Sequence, residues 1–341
     1  MKTIKRVLFS LFILMMVLQS CSTKVDLYAD YKPITVVYGL LDFTQDTNYI
    51  KINKAFLGPG NALDIALIED SCNYPGKLNC RIIESKASAG SNYFTQTRVL
   101  EVDTITIHNK ELGIFYAPDQ LVYYTKDRIN NNNQYVHYRY DLEIDRGDTI
   151  LTASTGVVGG SRFAIPQAVM NFSMINPTGT VGWTPCTNAA IYDVTIEFKY
   201  YEVKNLIDTL PCSMKMTIMD PRPETDISYE QGVYSTSYHS QDFYNSLAQK
   251  IGADSLQNVE RLIFEPSVTI KISAGGDELY NFISVNGPSN SIVQTIPEYT
   301  NVNGGYGVFS SRTAISKKVK LSAQTYTELS RHESWNFRQA R

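Results

Sequence analysis

The chain has 341 residues, 31 basic against 34 acidic side chains and a formal net charge of −3, which excludes a basic field able to recruit nucleic acid or an anionic membrane face. Its length suits two domains, and 43% hydrophobic content is enough to build real cores. Tyrosine is abundant, 23 against 14 phenylalanines and 2 tryptophans; such residues fit pleated, half-buried surfaces, so the composition leans towards an all-β protein outside the cytoplasm.

Residues 1–20 read as an export signal. Lys2, Lys5 and Arg6 give a positive start, and Val7 to Leu18 is almost wholly apolar. That run is about a dozen residues, short of the about 20 needed to cross a bilayer, and it fits a signal h-region. It ends in Leu18-Gln19-Ser20-Cys21, which resembles a bacterial lipobox. The resemblance implies cleavage before Cys21, a diacylglycerol on its thiol and palmitate-type acylation. Each buried methylene contributes about 0.8 kcal/mol, so several chains on one residue anchor firmly. Cleavage removes three cations and takes the net charge from −3 to about −6. Residues 21–32 form a tether that reaches about 40 Å at full extension. The stretch Ser22-Thr23-Lys24-Val25-Asp26 lacks the acidic run that often accompanies export to the cell surface, so periplasmic and surface-facing orientations both stay open.

An N-terminal β-sandwich is expected over 33–166. Ile34 to Leu41 reads as a first strand. Tyr49 to Phe56 reads as a second, with Ile50, Ile52 and Lys54 opposite Tyr49, Lys51 and Asn53, and Gln45 to Asn48 turning between the two. Asn61 is a good cap for a short helix with Leu63, Ala66 and Leu67 on one face. Strands resume at Cys80 to Glu84, Arg98 to His108 and Leu121 to Tyr124. The clearest strand is Tyr135 to Ile144: Val136, Tyr138, Tyr140, Leu142 and Ile144 share one face, and Tyr135, His137, Arg139, Asp141 and Glu143 the other. Such alternation predicts one buried and one wet face. A turn at Asp145 to Asp148 leads into a return strand over Thr149 to Val158, a sandwich rhythm.

Ile165-Pro166 and the polar stretch Asn171 to Thr180 mark a boundary, and a β-rich C-terminal domain with a helical insertion is expected over 171–322. Tyr192, Val194, Ile196, Phe198 and Tyr200 form an inward row, with Met214, Met216 and Ile218 on the partner strand. Phe243, Leu247 and Ile251 recur every fourth residue in a helix over Ser240 to Ile251, closed by Gly252. Leu262 to Ser273 reads as one strand, Gly276 to Val285 as a short helix, and Tyr299 to Arg312 as a glycine-rich loop running into a strand. The tail, 323–341, can hold a helix from Ala323 to Phe337. The expected fold class is mainly β: two β-sandwich domains, immunoglobulin-like or fibronectin-like, with short helical insertions.

Four cysteines besides Cys21 allow three connectivities. Cys72 and Cys80 flank Asn73-Tyr74-Pro75-Gly76, a turn, and their closeness favours a Cys72–Cys80 disulfide. Cys186 and Cys212 fall near opposite ends of a long strand, some 30 Å apart, beyond the reach of a bridge; their state is left open. Without a CxxC pair zinc is not expected, and His108, His137, His239 and His332 are too scattered for a metal site. No GxSxG elbow is present. Gly304-Gly305-Tyr306-Gly307 lacks the lysine of a phosphate loop and reads as glycines permitting positive φ. Arg146-Gly147-Asp148 is read as turn chemistry rather than an adhesion tripeptide. Loop carboxylates include Asp42, Asp46, Asp220, Glu224, Asp226, Asp277 and Glu278. A glycosidase needs two such groups flanking one bond, and Asp220 to Glu224 does not match a calcium loop. Tyr123, Tyr124, Tyr200, Tyr201, Tyr234, Tyr238 and Tyr244 suit either a recognition surface or, the favoured reading, ordinary strand and core use.

Val37-Tyr38-Gly39-Leu40-Leu41, Tyr49-Ile50-Lys51-Ile52-Asn53-Lys54-Ala55-Phe56-Leu57-Gly58, Phe115-Tyr116-Ala117-Pro118-Asp119-Gln120, Tyr299-Thr300-Asn301-Val302 and Gly307-Val308-Phe309-Ser310-Ser311-Arg312 are similar to segments of Bacteroidetes-type lipoproteins of unknown function. The resemblance spans both halves and implies an outer-membrane lipoprotein, sometimes encoded near TonB-dependent transporters. Only Cys21 carries over, as the lipidated residue; the family supplies no catalytic residue. The expectation is therefore a non-catalytic binding or accessory component of an envelope complex. It meets the membrane through its lipid, takes a TonB-dependent transporter or another envelope protein as partner, and needs no cofactor, metal or nucleic acid. An adhesin or structural surface protein and a glycan-directed hydrolase are the rival expectations.

Overall fold

The computed structural model describes residues 34–55, 61–108, 110–133, 135–204, 208–252, 259–287, 298–332 and 334–340. The export signal, Cys21 and the tether lie outside the described residues, as do Phe56, Leu57 and Gly58. The protein is mainly β, with 51% of residues in strands and 15% in helices, arranged in several sheets.

The N-terminal half runs β1 (Thr35–Leu41), β2 (Asn48–Lys54), α1 (Ala62–Ala66), α2 (Glu69–Cys72), β3 (Asn79–Ser88), β4 (Thr95–Leu100), β5 (Asp103–Ile107), β6 (Gln120–Thr125), β7 (Val136–Asp145) and β8 (Ile150–Gly156). One layer has the order β1-β2-β6-β5 and the other β4-β3-β7-β8. Between them Val37, Ile50, Ile52, Ile82, Leu142, Ile144 and Leu151 pack into one apolar cluster. The alternation read in β7 holds from Tyr140 onward, where Tyr140, Leu142 and Ile144 are buried and the intervening residues are not, while Val136 and Tyr138 are half-buried like their neighbours. Arg98 to His108 is not one strand. It breaks at Glu101-Val102, where β4 leaves for β3 and β5 joins β6 in the facing layer, because the chain crosses from one sheet to the other there. Asn61 caps α1 by accepting from Leu63 N, but Leu63 and Leu67 point to solvent and only Ala66 is buried.

The C-terminal half runs β9 (Phe163–Ile165), β10 (Val169–Met170), β11 (Thr178–Trp183), β12 (Ile191–Lys204), β13 (Asp208–Pro223), β14 (Ser228–Glu230), β15 (Val233–His239), α3 (Ser240–Ile251), β16 (Val259–Ile263), β17 (Val268–Gly275), α4 (Asp277–Asn286), β18 (Tyr306–Leu321), α5 (Ala323–Arg331) and β19 (Phe337–Gln339). The sheet β19-β16-β12-β17-β18, with β13 on β12, faces the sheet β14-β15-β11-β9 and helices α3 and α5. The five inward residues read in β12, from Tyr192 to Tyr200, are all buried. Phe243 of α3 stacks on Phe172, with centroids 4.1 Å apart, and closes one end of this core. The single strand read over Leu262 to Ser273 divides into β16 and β17, both on the same side of β12. The break carries Pro266, which has no N–H for a ladder. Glu265 there accepts from Ser267 N at 2.8 Å, Leu321 N at 3.0 Å and Tyr326 Oη at 2.5 Å.

One strand joins the two halves. The first part of β18 pairs in parallel with β1, from Val36↔Tyr306 to Leu41↔Ser311, and its later part pairs with β17. A single sheet of 11 strands therefore runs through both cores. Val302 and Phe309, late in sequence, pack in the N-terminal core, and Val158 packs in the C-terminal one. The tail is integral to the second core through Leu329, Trp335 and Phe337. A glycine at the start of β18 is required by this crossing: Gly307 has φ +110°, and a Cβ on it would lie 2.0 Å from Val37 O.

Candidate functional site

The wet face of β7 is the floor of a polar groove on the outside of the β4-β3-β7-β8 sheet. Asp141, Glu143 and Arg139 line a hollow of about 570 Å³ with Phe94, Asn301 and Asn303. Phe94 and Arg139 also line an adjoining hollow of about 240 Å³, with His137, Asn188, Asp277 and Glu278. The two share a boundary and follow one strand from Glu143 to His137, because residues at every second position of a strand face the same way.

Its polar groups are held in place. The Arg139 guanidinium donates twice to Asp141 Oδ2, at 3.0 and 3.2 Å, and lies over the Phe94 ring at 4.7 Å. Arg81 donates to Glu143 at 2.5 Å. Asn301 donates to Phe309 O at 2.6 Å and accepts from Phe309 N at 2.9 Å, which closes the loop before β18 and fixes one wall. Asn188, at φ 57°, donates to Val157 O. At the far end Glu278 Oε2 accepts from Ser310 Oγ at 2.8 Å and Thr155 Oγ1 at 3.1 Å. Burial pushes this carboxyl above its ordinary range and the Asp277 charge adds to it, against the pull of the two hydroxyls.

Beneath the sheet, Glu84 is 2% exposed. Burial raises its proton affinity, but Arg98 Nη2 at 2.8 Å, Tyr140 Oη at 2.6 Å and Thr97 Oγ1 at 2.7 Å outweigh it and hold the carboxyl below its usual range. This cluster fixes β4 to β3 and to β7, so it sets the groove floor rather than lining it.

Chemically the groove offers guanidinium, carboxylate and amide groups around the Phe94 ring, with Tyr138 beside His137, a set that hydrogen-bonds a polar ligand in a defined orientation. Hydrolysis of a glycosidic bond calls for two carboxyl groups on opposite sides of it. Asp141 and Glu143 stand two residues apart on one strand, each matched to an arginine, and Asp277 and Glu278 are neighbours at the start of α4. Nucleophilic chemistry finds little support among the buried thiols. Burial pushes Cys80 up to about 12 and Cys186 up to about 11, so both stay protonated near neutral pH.

Of the loop carboxylates read in the sequence, only Asp277 and Glu278 come together in this groove. Asp42 accepts from Thr44 N at 2.9 Å and Thr44 Oγ1 at 2.6 Å in the turn after β1. Glu224 accepts from Tyr234 Oη, and Asp226 from Thr225 Oγ1. Asp220 lies exposed on β13, and Asp46 in the turn before β2. The histidines are dispersed: His108 pairs with Asp119 at 2.9 Å, His239 precedes α3, and His332 stacks on Trp335. Among the described residues no three metal-binding side chains meet. Tyr123, Tyr200 and Tyr238 are buried, while Tyr124, Tyr234 and Tyr244 are half-buried and only Tyr201 is exposed, the pattern of ordinary strand and core use. Arg146 Nε binds Asp148 at 2.6 Å across Gly147, at φ 93°, so that tripeptide is a closed turn.

Cys72, Cys80, Cys186 and Cys212 stand as free thiols. The expected Cys72–Cys80 bridge is not formed: Cys72 Sγ points to Ala66 O at 3.4 Å, and Cys80 faces the sandwich core from β3. Closeness in sequence did not bring the two thiols together, because one turns from α2 to the end of α1 and the other inward. Cys212 is opposite Tyr200 in the β12–β13 ladder, while Cys186 N donates to Tyr192 Oη nearer the strand's start, so these two are also held apart.

Arg139, Asp141, Glu143 and His137 were visible as a polar row in the sequence. Phe94, Asn188, Asn301 and Asn303 carried no signal as lining residues, since the folds that bring them to β7 are long-range. A further hollow, about 420 Å³, lies between β1 and α4, where the Tyr38 and Phe282 rings meet at 5.9 Å. No protein-family model and no curated protein matches the chain. Among the described residues no helix is long and apolar enough to cross a membrane.

Proposed function

We propose that the protein is an outer-membrane lipoprotein held through acylated Cys21, and that it serves as a non-catalytic binding or accessory component of an envelope complex. The groove along β7 is its recognition surface. One observation carries this reading: charged and amide side chains fixed by hydrogen bonds line two adjoining hollows together with the Phe94 and Tyr138 rings, and Asp141 and Glu143 are each matched to an arginine. Preorganised polar groups orient a ligand at low entropic cost. A TonB-dependent transporter or another envelope protein would supply or receive that ligand.

Native pull-down of the lipidated protein tests the reading. The intact groove should recover an envelope partner or its ligand, and the double variant Phe94→Ala/Arg139→Ala should recover about tenfold less, the effect expected when a central anchor is lost. Recovery of the protein alone, or equal recovery with both forms, would sink it.

A further inference from the structure

A cluster of large apolar side chains is exposed at one end of the N-terminal half. Leu63, Leu67 and Ile68 of the α1–α2 segment are 57%, 55% and 55% exposed, and Leu112, Ile114 and Phe115 of the β5–β6 connection are 92%, 61% and 53% exposed. The two tracts adjoin, since Tyr116 N donates to Ala66 O at 2.9 Å. Apolar side chains exposed singly elsewhere on the surface need no explanation, whereas tracts that adjoin in one patch mark an interaction or membrane-contact site.

This end is also where the tether enters. Tyr74, just after α2, bonds Thr35, the first residue of β1, at 2.6 Å, and Thr35 is opposite Lys54 at the end of β2 that leads to α1. The β5–β6 connection emerges at the same end, because β6 runs antiparallel to β2. From Cys21 to Ile34 the chain spans at most about 45 Å. In the other direction β18 runs ten residues past its last pairing with β1, about 33 Å, and carries the C-terminal half away from the tether.

We infer that the protein stands on the lipid bilayer with this apolar end as its foot, Leu112, Ile114 and Phe115 entering the headgroup–acyl boundary beside Leu63, Leu67 and Ile68. The inference rests on the lipoprotein reading for its geometry. Asp64, Glu69, Asp70 and Glu111 outnumber Lys54 and Lys110 around the patch, so the contact is apolar rather than electrostatic and holds on zwitterionic lipid. The groove along β7 then rises from the bilayer, with Glu143 near the foot and His137 above.

The test uses the lipidated protein in phosphatidylcholine–phosphatidylethanolamine vesicles whose acyl chains carry bromine. The emission that Leu112→Trp adds, taken after subtracting that of the parent protein, should fall about twofold relative to unbrominated vesicles, as for a ring seated at the interface; Trp183 and Trp335, buried in the distal core, supply the unquenched parent signal that is subtracted. A parallel arm uses the mature chain carrying Cys21→Ser. It should co-sediment with the same vesicles, and Leu112→Ser/Ile114→Ser/Phe115→Ser should reduce that about tenfold, with an unchanged melting temperature showing that the variant folds. Unquenched emission from a Leu112→Trp protein whose mass shows the acyl adduct overturns the foot and leaves the anchor standing; this includes the case in which an envelope protein covers the patch. No adduct, with co-sedimentation of the Cys21→Ser chain intact, overturns the anchor and leaves the foot.

Discussion

Half-buried Glu278 and buried Glu84 are two carboxylates with opposite consequences. Around Glu84, one guanidinium and two hydroxyls favour the charged form. Its contribution is present above the ordinary carboxylate value of 4.5 and is lost as pH falls through the lower folded value. Glu278 has only the Ser310 and Thr155 hydroxyls against burial and Asp277, and its folded value lies above 4.5. The folded state therefore holds that proton more tightly, and stability falls as pH rises from about 4.5 through the folded value. Glu278→Gln keeps an acceptor for both hydroxyls and removes the charge. It should be at least as stable as the parent at pH 7, by up to about 1 kcal/mol, and should flatten the slope above pH 4.5. Urea titrations at pH 5 and pH 7 check this; a loss of stability at both would show that the carboxylate itself is needed.

Among the elements, β18 carries the most consequence, because it builds a parallel pair with β1 and an antiparallel pair with β17. The start of that strand depends on Gly307. Alanine there meets Val37 O at 2.0 Å and an unfavourable φ, so Gly307→Ala should cost about 2–4 kcal/mol. Gly76→Ala, where nothing lies within 4 Å, should change stability by less than about 0.5 kcal/mol. Urea midpoints of the two variants separate these outcomes, and similar losses would mean that the close approach relaxes. The same strand explains why Tyr299 to Arg312 read as a loop running into a strand: the tight turn is legible in its glycines, whereas the partner that demands it, 270 residues earlier in the chain, is not.

The described residues form two apolar cores, and one of the three sheets runs through both. Since Phe309 packs in the first core and Val319 in the second, unfolding either half removes part of the other's sheet. Calorimetry of residues 21–341 should show a single cooperative transition, with both cores lost together. Two separated transitions would mean that β18 transmits little. At this scale the reading of two sandwiches is compatible with the layers, while the allocation of segments is not linear in sequence.

Local chemistry was enough to specify much of this protein. The period-two rows of β7 and β12, the fourfold spacing of Phe243, Leu247 and Ile251, and the Asn61 cap each follow from backbone geometry acting over a few residues, and all are present in the structure. So is the mainly β class. The division of Leu262 to Ser273, the crossover at Glu101-Val102, the thiols turned away from one another and the asparagines walling the groove arose only from tertiary structure. Each depends on which distant strand competes for a segment's hydrogen bonds and apolar face, and that competition is settled by pairings between segments far apart in the chain, β1 with β18 above all.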